Sequence, residues 1–506
     1  MATDKTWCTV CGGVNCSDGD SVLRVCIGIA CILIFLTPLT AQSTMNGSLN
    51  HVEENEGETE KETENINVDM QVVYGRQYNN ILSTMNLSHE KEDFVYLLSS
   101  SFKRSHDFGY NKRVFENTSF YENNLGFTGS ANVTENWKII PDVEIDNNSR
   151  GMFDNDLYSR EEMDKAKLTI KNIFKFTSSF EGYLTAGGAS YVHRLRSRDD
   201  DDDRSKVNYV SLETGGELIW SASNRIRFIG SMTQNDYSPH TYERDRFWNS
   251  ELIDDFNITR NFGVSVGGNC DYNNDDGWLL SPIVAFSLKG YKYISVVCLY
   301  RYDLVPFKPE EFYLTRKFIN PAYDLPPARV HHGEFKADLR LNSIIKIRGS
   351  FTATKNNNFY NYTVVEGNVL GAETIPVKSY ITRGDANVVL YKTILVFIFS
   401  YEYSYYDTES TVTYRPEQSF SNAIKFNGES WKIEWSNKYI DQVYADTDRE
   451  RRLSEVLIGY FDIQRKMLDS FYAYVRIENL YNNEYYFRDG YPEPGIIVLG
   501  GLRIII

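Results

Sequence analysis

The chain has 506 residues and a formal net charge of −16, which argues against the basic surface that nucleic-acid binding requires. Tyrosine (36 residues) and phenylalanine (29) are abundant and proline (13) is scarce, a composition typical of strand-rich proteins with aromatic belts. The mean hydropathy of −0.42 is compatible with a membrane barrel, because only alternate strand residues of such a barrel face lipid.

The first 41 residues are interpreted as a lead followed by a secretory signal peptide. Arg24 provides the positive end, Val25 to Leu36 the apolar run, and Leu39-Thr40-Ala41 a cleavage site. A signal peptide rarely carries an acidic, cysteine-rich lead, which suggests that translation begins near Val22 or Leu23.

The seven cysteines predict neither a zinc site nor a disulfide. Five of them precede residue 32: Cys8, Cys11, Cys16, Cys26 and Cys31. The Cys8-x-x-Cys11 spacing has no second ligand pair at a workable distance, so no structural zinc is expected. Cys270 and Cys298 fall on predicted strands two apart, roughly 10 Å at normal strand spacing, which is too far for a disulfide.

Residues 42–92 are predicted to form a disordered acidic segment. From Gln42 to Asp69 almost no side chain can be buried, and a run such as His51 to Glu58 cannot support a core. A short apolar-polar stretch follows, formed by Met70, Gln71, Val72, Val73 and Tyr74.

A hairpin between residues 335 and 354 gives the clearest structural signal. Its first run places Phe335, Ala337 and Leu339 on one face and charged residues on the other. Asn342 and Ser343 separate it from a second run of the same kind. Each run is about ten residues long, enough for a tilted strand to cross a bilayer.

Similar alternation continues from residue 93 to residue 506 and predicts about twenty antiparallel strands. Short connections such as Ala222 to Asn224 alternate with longer, polar ones such as Asp303 to Arg329. Outer-membrane barrels sort their connections in this way, with short periplasmic turns and long extracellular loops. The predicted fold is therefore all-β, a large antiparallel transmembrane β-barrel in the cell outer membrane.

Three motifs resemble TonB-dependent outer-membrane receptors. Two are Phe307-Lys308-Pro309-Glu310-Glu311-Phe312-Tyr313-Leu314 and Asn320-Pro321-Ala322-Tyr323-Asp324-Leu325-Pro326-Pro327. The third is the ending, where Gly500-Gly501-Leu502-Arg503 is similar to the family's closing strand, although the chain ends in Ile506 rather than an aromatic residue. The resemblance implies a barrel of about 20–22 strands and uptake of a scarce nutrient such as a metal chelate, cobalamin or haem.

The resemblance also implies partners. Met70 to Tyr74 resembles a TonB box, the segment that pairs with the energy-coupling protein TonB, and the closing strand implies the barrel-assembly machinery during biogenesis. Outer-membrane lipid and an unidentified small-molecule ligand complete the expected partners. The family's plug domain is missing, because only Gln77 to Glu92 separate the box from the first predicted barrel strand. A passive, largely open pore therefore stays a second reading, and a surface barrel for adhesion or binding a third.

Candidate binding residues lie in the last loop. Tyr485, Tyr486, Phe487 and Tyr491 could stack on an arriving ligand. The five-aspartate run Asp199 to Asp203 and the pair His332 and Glu334 are interpreted as a solvated loop and an ordinary polar lumen wall rather than metal sites. No Ser/His/Asp set, phosphate loop or His-Glu-x-x-His motif is visible, so neither an enzyme nor a cofactor is expected.

Overall fold

The computed structural model describes residues 65–505, except 76–79, 92, 111–112, 154, 200–201, 239–243, 275–276, 291–292, 307–324, 342–343, 365–369 and 391–393. The strands of the first half are β1 Asn65–Gly75, β2 Asn80–Lys91, β3 Phe94–Ser105, β4 Gly109–Tyr110, β5 Arg113–Val114, β6 Phe120–Thr134, β7 Trp137–Gly151, β8 Tyr158–Thr177, β9 Phe180–Ser197, β10 Asp203–Ser221, β11 Asn224–Ser238, β12 Arg244–Asn257, β13 Phe262–Asn273 and β14 Gly277–Gly290.

Fourteen further strands follow: β15 Ile294–Val305, β16 Ala328–Arg340, β17 Ile345–Val364, β18 Leu370–Leu390, β19 Leu395–Asp407, β20 Gln418–Asn427, β21 Trp431–Ile440, β22 Val443–Tyr444, β23 Arg452–Leu453, β24 Val456–Leu468, β25 Phe471–Glu478, β26 Tyr486–Arg488, β27 Tyr491–Pro492 and β28 Ile497–Ile505.

The long strands form one closed, antiparallel barrel. The sheet has 22 strands, each hydrogen-bonded to its neighbours along the chain. The barrel closes where β1 pairs with β28, from Asp69 opposite Ile505 to Tyr74 opposite Gly500. The six two-residue or three-residue strands (β4, β5, β22, β23, β26 and β27) lie outside the barrel sheet as three small hairpins. This topology confirms the predicted fold class. No helix in the described part of the chain is both long and apolar enough to span a bilayer.

The connections are sorted by length, as the sequence predicted. Connections at the end of the barrel that holds Asn65 and Ile505 have at most four residues. Those at the other end include the long segments 306–327, 441–455 and 479–496. In an outer-membrane barrel the short-turn end faces the periplasm, so the long loops are extracellular.

The barrel begins at Asn65, about thirty residues before the predicted start at residue 93. Residues Asn65–Gly75 and Asn80–Lys91 are barrel strands rather than a segment that precedes the barrel. These two strands account for the difference between the predicted number of strands, about twenty, and the 22 strands of the sheet. The alternation in β2 is interrupted at Leu82 and Ser83, where a leucine lies on the mainly polar face and a serine on the mainly apolar face. In addition, β1 resembles a TonB box, and it was therefore predicted to precede the barrel rather than to be one of its strands.

The two faces of the wall differ as the hairpin predicted. Phe335 and Phe351 lie opposite each other on the outer face and are 44% and 42% exposed. On the lumen face of the same two strands, Arg348 Nε donates to Asp338 Oδ1 at 3.0 Å. The outer face therefore offers an apolar surface to lipid, while charged side chains pair with one another across the lumen wall.

Phe335→Arg should destabilise the barrel by about 2–4 kcal/mol, because Phe335 lies near the middle of β16 and the new charge would face the hydrocarbon core. Thr352→Arg is the matched control: Thr352 lies one residue further along β17 than Phe351, on the lumen face opposite Glu334. The Thr352→Arg substitution should lower the free energy of unfolding much less than Phe335→Arg does. Denaturant titrations in lipid vesicles measure both free energies of unfolding, and equal losses would reverse the facing assignment.

Candidate functional site

The extracellular mouth of the barrel is crossed by a hydrophobic cluster. Tyr191 of β9 and Val207 of β10 contribute from one side, and Tyr362 of β17 and Leu370 of β18 from the other. The pairing order places β18 nine strands further round the 22-stranded barrel than β9, nearly opposite. Side chains from opposite walls can share one cluster only if the loops between them fold inward. We call the inward-folded segments 359–364, 370–375, 408–417 and 441–455 the lid.

Hydrogen bonds join the segments of the lid to one another. The side chain of Asn361, which is 1% exposed, donates to the Thr411 carbonyl at 2.9 Å and accepts from the Thr413 backbone N–H at 2.9 Å. The next residue, Tyr414, donates its backbone N–H to the Tyr444 carbonyl at 2.8 Å. Buried backbone groups that are paired in this way hold the lid together as a layer rather than as separate loops.

The last loop, residues 479–496, runs across the mouth as a strap. At its base the Asn479 side chain donates to the carbonyls of Asn483 at 2.8 Å and Pro494 at 3.0 Å. Further along, Tyr491 packs in a cluster with Met152 and Leu195, which belong to the β7–β8 loop and to β9. The strap is therefore fixed at its base and also against the far wall.

A cavity of about 540 Å³ lies between the lid, the strap and the barrel wall. Its volume is in the range of small-molecule sites. The lining combines cations (Arg150, Lys438 and Arg488), rings (Tyr414, Tyr486, Phe487 and Tyr491), acids (Asp441 and Glu493) and apolar or small residues (Leu370, Pro416, Ser419, Ile440, Val443, Ser454 and Val456).

Arg488 is the most enclosed of the three cations. It is 8% exposed, and its guanidinium lies 4.9 Å from the centroid of the Tyr491 ring. Burial lowers the pKa of Arg488 to about 10, so the side chain remains charged at neutral pH. Burial also raises the pKa of Tyr491, which keeps that ring neutral. The cavity thus presents a desolvated positive charge next to a neutral aromatic face.

A second cation is held by an ion pair at the cavity wall. Arg150 of β7 lies 3.4 Å from the Glu493 carboxylate of the strap. Behind the strap, His193 Nε2 and Glu161 Oε1 are 2.7 Å apart, and both side chains are buried. The Glu161 carboxylate favours the charged form of Arg488. The positive charge of the cavity is therefore positioned by carboxylates on two sides.

Most of the predicted ligand-binding residues lie at this cavity. Tyr486, Phe487 and Tyr491 line it, while Tyr485 packs edge-on against Phe487 with ring centroids 5.2 Å apart. Arg150 and Arg488, the cations of the cavity, were not predicted from the sequence. They come from chain segments more than three hundred residues apart, so no local motif could have joined them.

The stretch Met70 to Tyr74 lies elsewhere, in β1. Its backbone is paired with β2 on one side and with β28 on the other. Met70, Val72 and Tyr74 are exposed on the outer face, whereas Val73 is fully buried. Adding a strand from another protein at this stretch would require β1 to leave the barrel.

The other candidates do not form metal sites among the described residues. No group of three or more histidine, cysteine or acidic side chains there could hold a metal ion. Glu334 forms an ion pair with Lys336 at 2.8 Å, as expected for a polar lumen wall. Asp200 and Asp201, in the centre of the aspartate run, lie outside the described residues. Cys270 and Cys298 are free thiols.

A closed 22-stranded antiparallel barrel with an apolar outer face and sorted short and long connections has the architecture of an outer-membrane β-barrel. The chain resembles the siderophore receptor PirA from Acinetobacter baumannii (TM-score 0.69, 9% identity, 88% of this chain and 81% of that chain). It also resembles the FrpB iron transporter from Neisseria meningitidis (F3-3 variant; TM-score 0.70, 10% identity, 87% and 81%). The copper transporter OprC aligns with a TM-score of 0.67 at 10% identity, over 88% and 80% of the two chains.

These likenesses show the fold, a 22-stranded barrel, which is the fold that the resemblance in the sequence implied. No family model and no curated protein sequence matches the chain.

Proposed function

We propose that this protein is an outer-membrane uptake receptor that captures an anionic metal chelate in the cavity beneath the lid. The observation that carries the proposal is the buried charge of Arg488 beside the rings of Tyr491, Tyr486 and Phe487. Cationic side chains that line a cavity and are largely removed from water suit an anionic ligand, because the ligand supplies charge-assisted hydrogen bonds in place of lost hydration. Flat aromatic faces add affinity for a conjugated or aromatic chelate. The solved structures of similar fold include a siderophore receptor, an iron transporter and a copper transporter, which is consistent with this choice.

Binding to the purified protein in detergent tests the proposal. The probes are a ferric catecholate chelate, haem and cobalamin, followed by quenching of intrinsic fluorescence. Arg488→Gln should weaken the best of these ligands at least about tenfold, since it removes a charge-assisted hydrogen bond in a desolvated site. Arg451→Gln is the matched control: Arg451 also contacts the strap, at 2.9 Å from Asp489, but is exposed and does not line the cavity. Equal affinities in both variants would contradict the proposal.

TonB is the proposed partner for energy coupling. Because β1 is paired on both edges, we propose that coupling uses a segment other than Met70 to Tyr74. Deleting residues 42–64 leaves every barrel strand in place. Energised uptake should then be lost while ligand binding stays unchanged. Uptake that survives this deletion and continues without a membrane potential would favour a passive route instead.

A further inference from the structure

The outer wall of β8, β9 and β10 carries an unusual concentration of cations just above the apolar belt. The side chains involved are Arg160, Arg194, Arg196, Arg204 and Lys206, here called the outer patch. Their facing follows from alternation: on β9, Tyr191 and His193 face the lumen and are 6% and 3% exposed, whereas Leu184 faces outward and is 40% exposed. Arg194 and Arg196 keep the even, outward register of Leu184.

Two pairs of these arginines are placed directly opposite each other. Arg160 of β8 is in register with Arg196 of β9, and Arg194 of β9 with Arg204 of β10. Like charges directly across a strand pair destabilise a sheet. Two adjacent pairs of this kind, within a chain of net charge −16, indicate a need for positive charge at this spot.

The carboxylates nearby orient the guanidinium groups without using all of their donors. Glu162 accepts from Arg196 at 3.0 Å and lies 3.9 Å from Arg194, and Asp202 accepts from Arg196 at 3.2 Å. Asp164 lies one outward position below Glu162. A guanidinium has five N–H donors. The Arg194 side chain is 31% exposed, and the distance from its Nη1 to Glu162 Oε2, 3.9 Å, is beyond hydrogen-bond range, so this end of the guanidinium can take a further acceptor. The outer patch therefore retains donors for a further anion.

On the periplasmic side of the outer patch the outer wall is apolar, and the outward side chains of β9 there are small. Ile170, Val210 and Leu212 are exposed by 38%, 57% and 48% on the flanking strands. Between them, the outward positions of β9 below Val192 are Ser190, Gly188 and Ala186. A Cβ at Gly188 would meet only the Tyr209 carbonyl, at 3.6 Å, so the space outside it is open. An acyl chain fits along such a track.

We infer that the outer patch and this track bind one lipid of the outer leaflet that carries a phosphorylated headgroup. Cationic side chains at the depth of the headgroups attract anionic lipids. The guanidinium group of arginine can donate two parallel hydrogen bonds to the oxygens of one phosphate. The acyl chains of the same lipid lie against β9. The site is on the outside of the barrel and independent of the ligand cavity.

Native mass spectrometry of the detergent-purified protein with lipid A tests the inference, using bis-phosphorylated and phosphate-free forms. Arg194→Gln/Arg204→Gln should weaken binding of the bis-phosphorylated form at least tenfold. The matched control is Lys355→Gln/Lys378→Gln, a pair in register on the outer wall of β17 and β18, where Asp407 accepts from Lys378 at 3.1 Å. It should change binding less than twofold.

Gly188→Phe provides a second variant, which fills the track without altering charge and should weaken binding at least threefold. Equal binding of the phosphate-free lipid, or unchanged affinity in the arginine variant, would overturn the inference. Displacement of the lipid by millimolar inorganic phosphate would show that a free anion, not a lipid, is the ligand. Full heat-modifiability of each variant on gels shows that the barrel is intact.

Discussion

Gly501→Ala is expected to prevent closure of the barrel. A Cβ at Gly501 would lie 1.9 Å from the Val72 carbonyl oxygen and 2.7 Å from the Val73 Cα, both backbone atoms of β1. Backbone cannot move aside as a flexible side chain can, so β1 and β28 would have to separate. Loss of this seam should destabilise the folded barrel by at least about 3 kcal/mol, the upper end of overpacking costs.

Gly500→Ala is the matched control, one residue away on the same strand. Its Cβ would meet only the Tyr474 carbonyl, at 4.0 Å, which is ordinary contact. Folding into detergent or vesicles, followed by heat-modifiable migration, measures closure in both variants. Equal yields of the folded band would mean that the β1–β28 pairing is not the closing seam.

An ion pair between Arg503 and Asp69 joins β28 to β1 at this seam and explains the arginine of the closing motif. Arg503 donates from Nη2 to Asp69 Oδ2 at 2.6 Å and from Nη1 to Gln464 at 3.0 Å. Gly500 to Arg503 could be predicted as a closing strand from their motif, but Asp69 could not be predicted as the partner of Arg503. A contact across 434 residues leaves no trace in local alternation.

The fold could be predicted from the sequence because its physical signals are local. Period-two alternation and the sorting of short and long connections depend on a few consecutive residues at a time. The same reasoning failed at β2, where Leu82 and Ser83 interrupt the alternation of an otherwise two-faced strand. With β2 missed, β1 had no hairpin partner and was interpreted as an isolated segment.

The candidate site could be predicted only in its aromatic part. Tyr486, Phe487 and Tyr491 cluster within six residues of the last loop, and a pattern of that kind is visible in a sequence. The lid was not predicted, because inward folding depends on contacts between strands that are far apart in the chain. In the lid, for example, Tyr362 and Tyr414 pack together with ring centroids 6.3 Å apart, although 51 residues separate them in the chain.

The lid should keep the barrel closed to small solutes, and breaking it should open the mouth. A 22-stranded barrel encloses a lumen too wide for its own wall side chains to fill. In the described part of the chain, the lid and strap span that lumen at the extracellular end. Tyr362 and Tyr414 are 5% and 4% exposed, so replacing both with alanine removes large buried rings where opposite walls meet. Removing two such rings costs about 3–5 kcal/mol each, enough to release a loop layer without unfolding the sheet.

Planar-bilayer conductance measures the outcome. The wild-type protein should conduct little, and Tyr362→Ala/Tyr414→Ala should conduct at least about tenfold more, because the lumen behind the lid is wide. Tyr403→Ala/Tyr405→Ala is the control. These two tyrosines are 39% and 51% exposed on the outer face of β19, so their replacement removes the same two side chains from a surface outside the lumen. A second pair of recordings, on chains that lack residues 42–64, separates the lid from any contribution of that segment. A wild-type protein that already conducts freely, or a lid variant no more conductive than the control in both backgrounds, would show that the lid does not close the barrel.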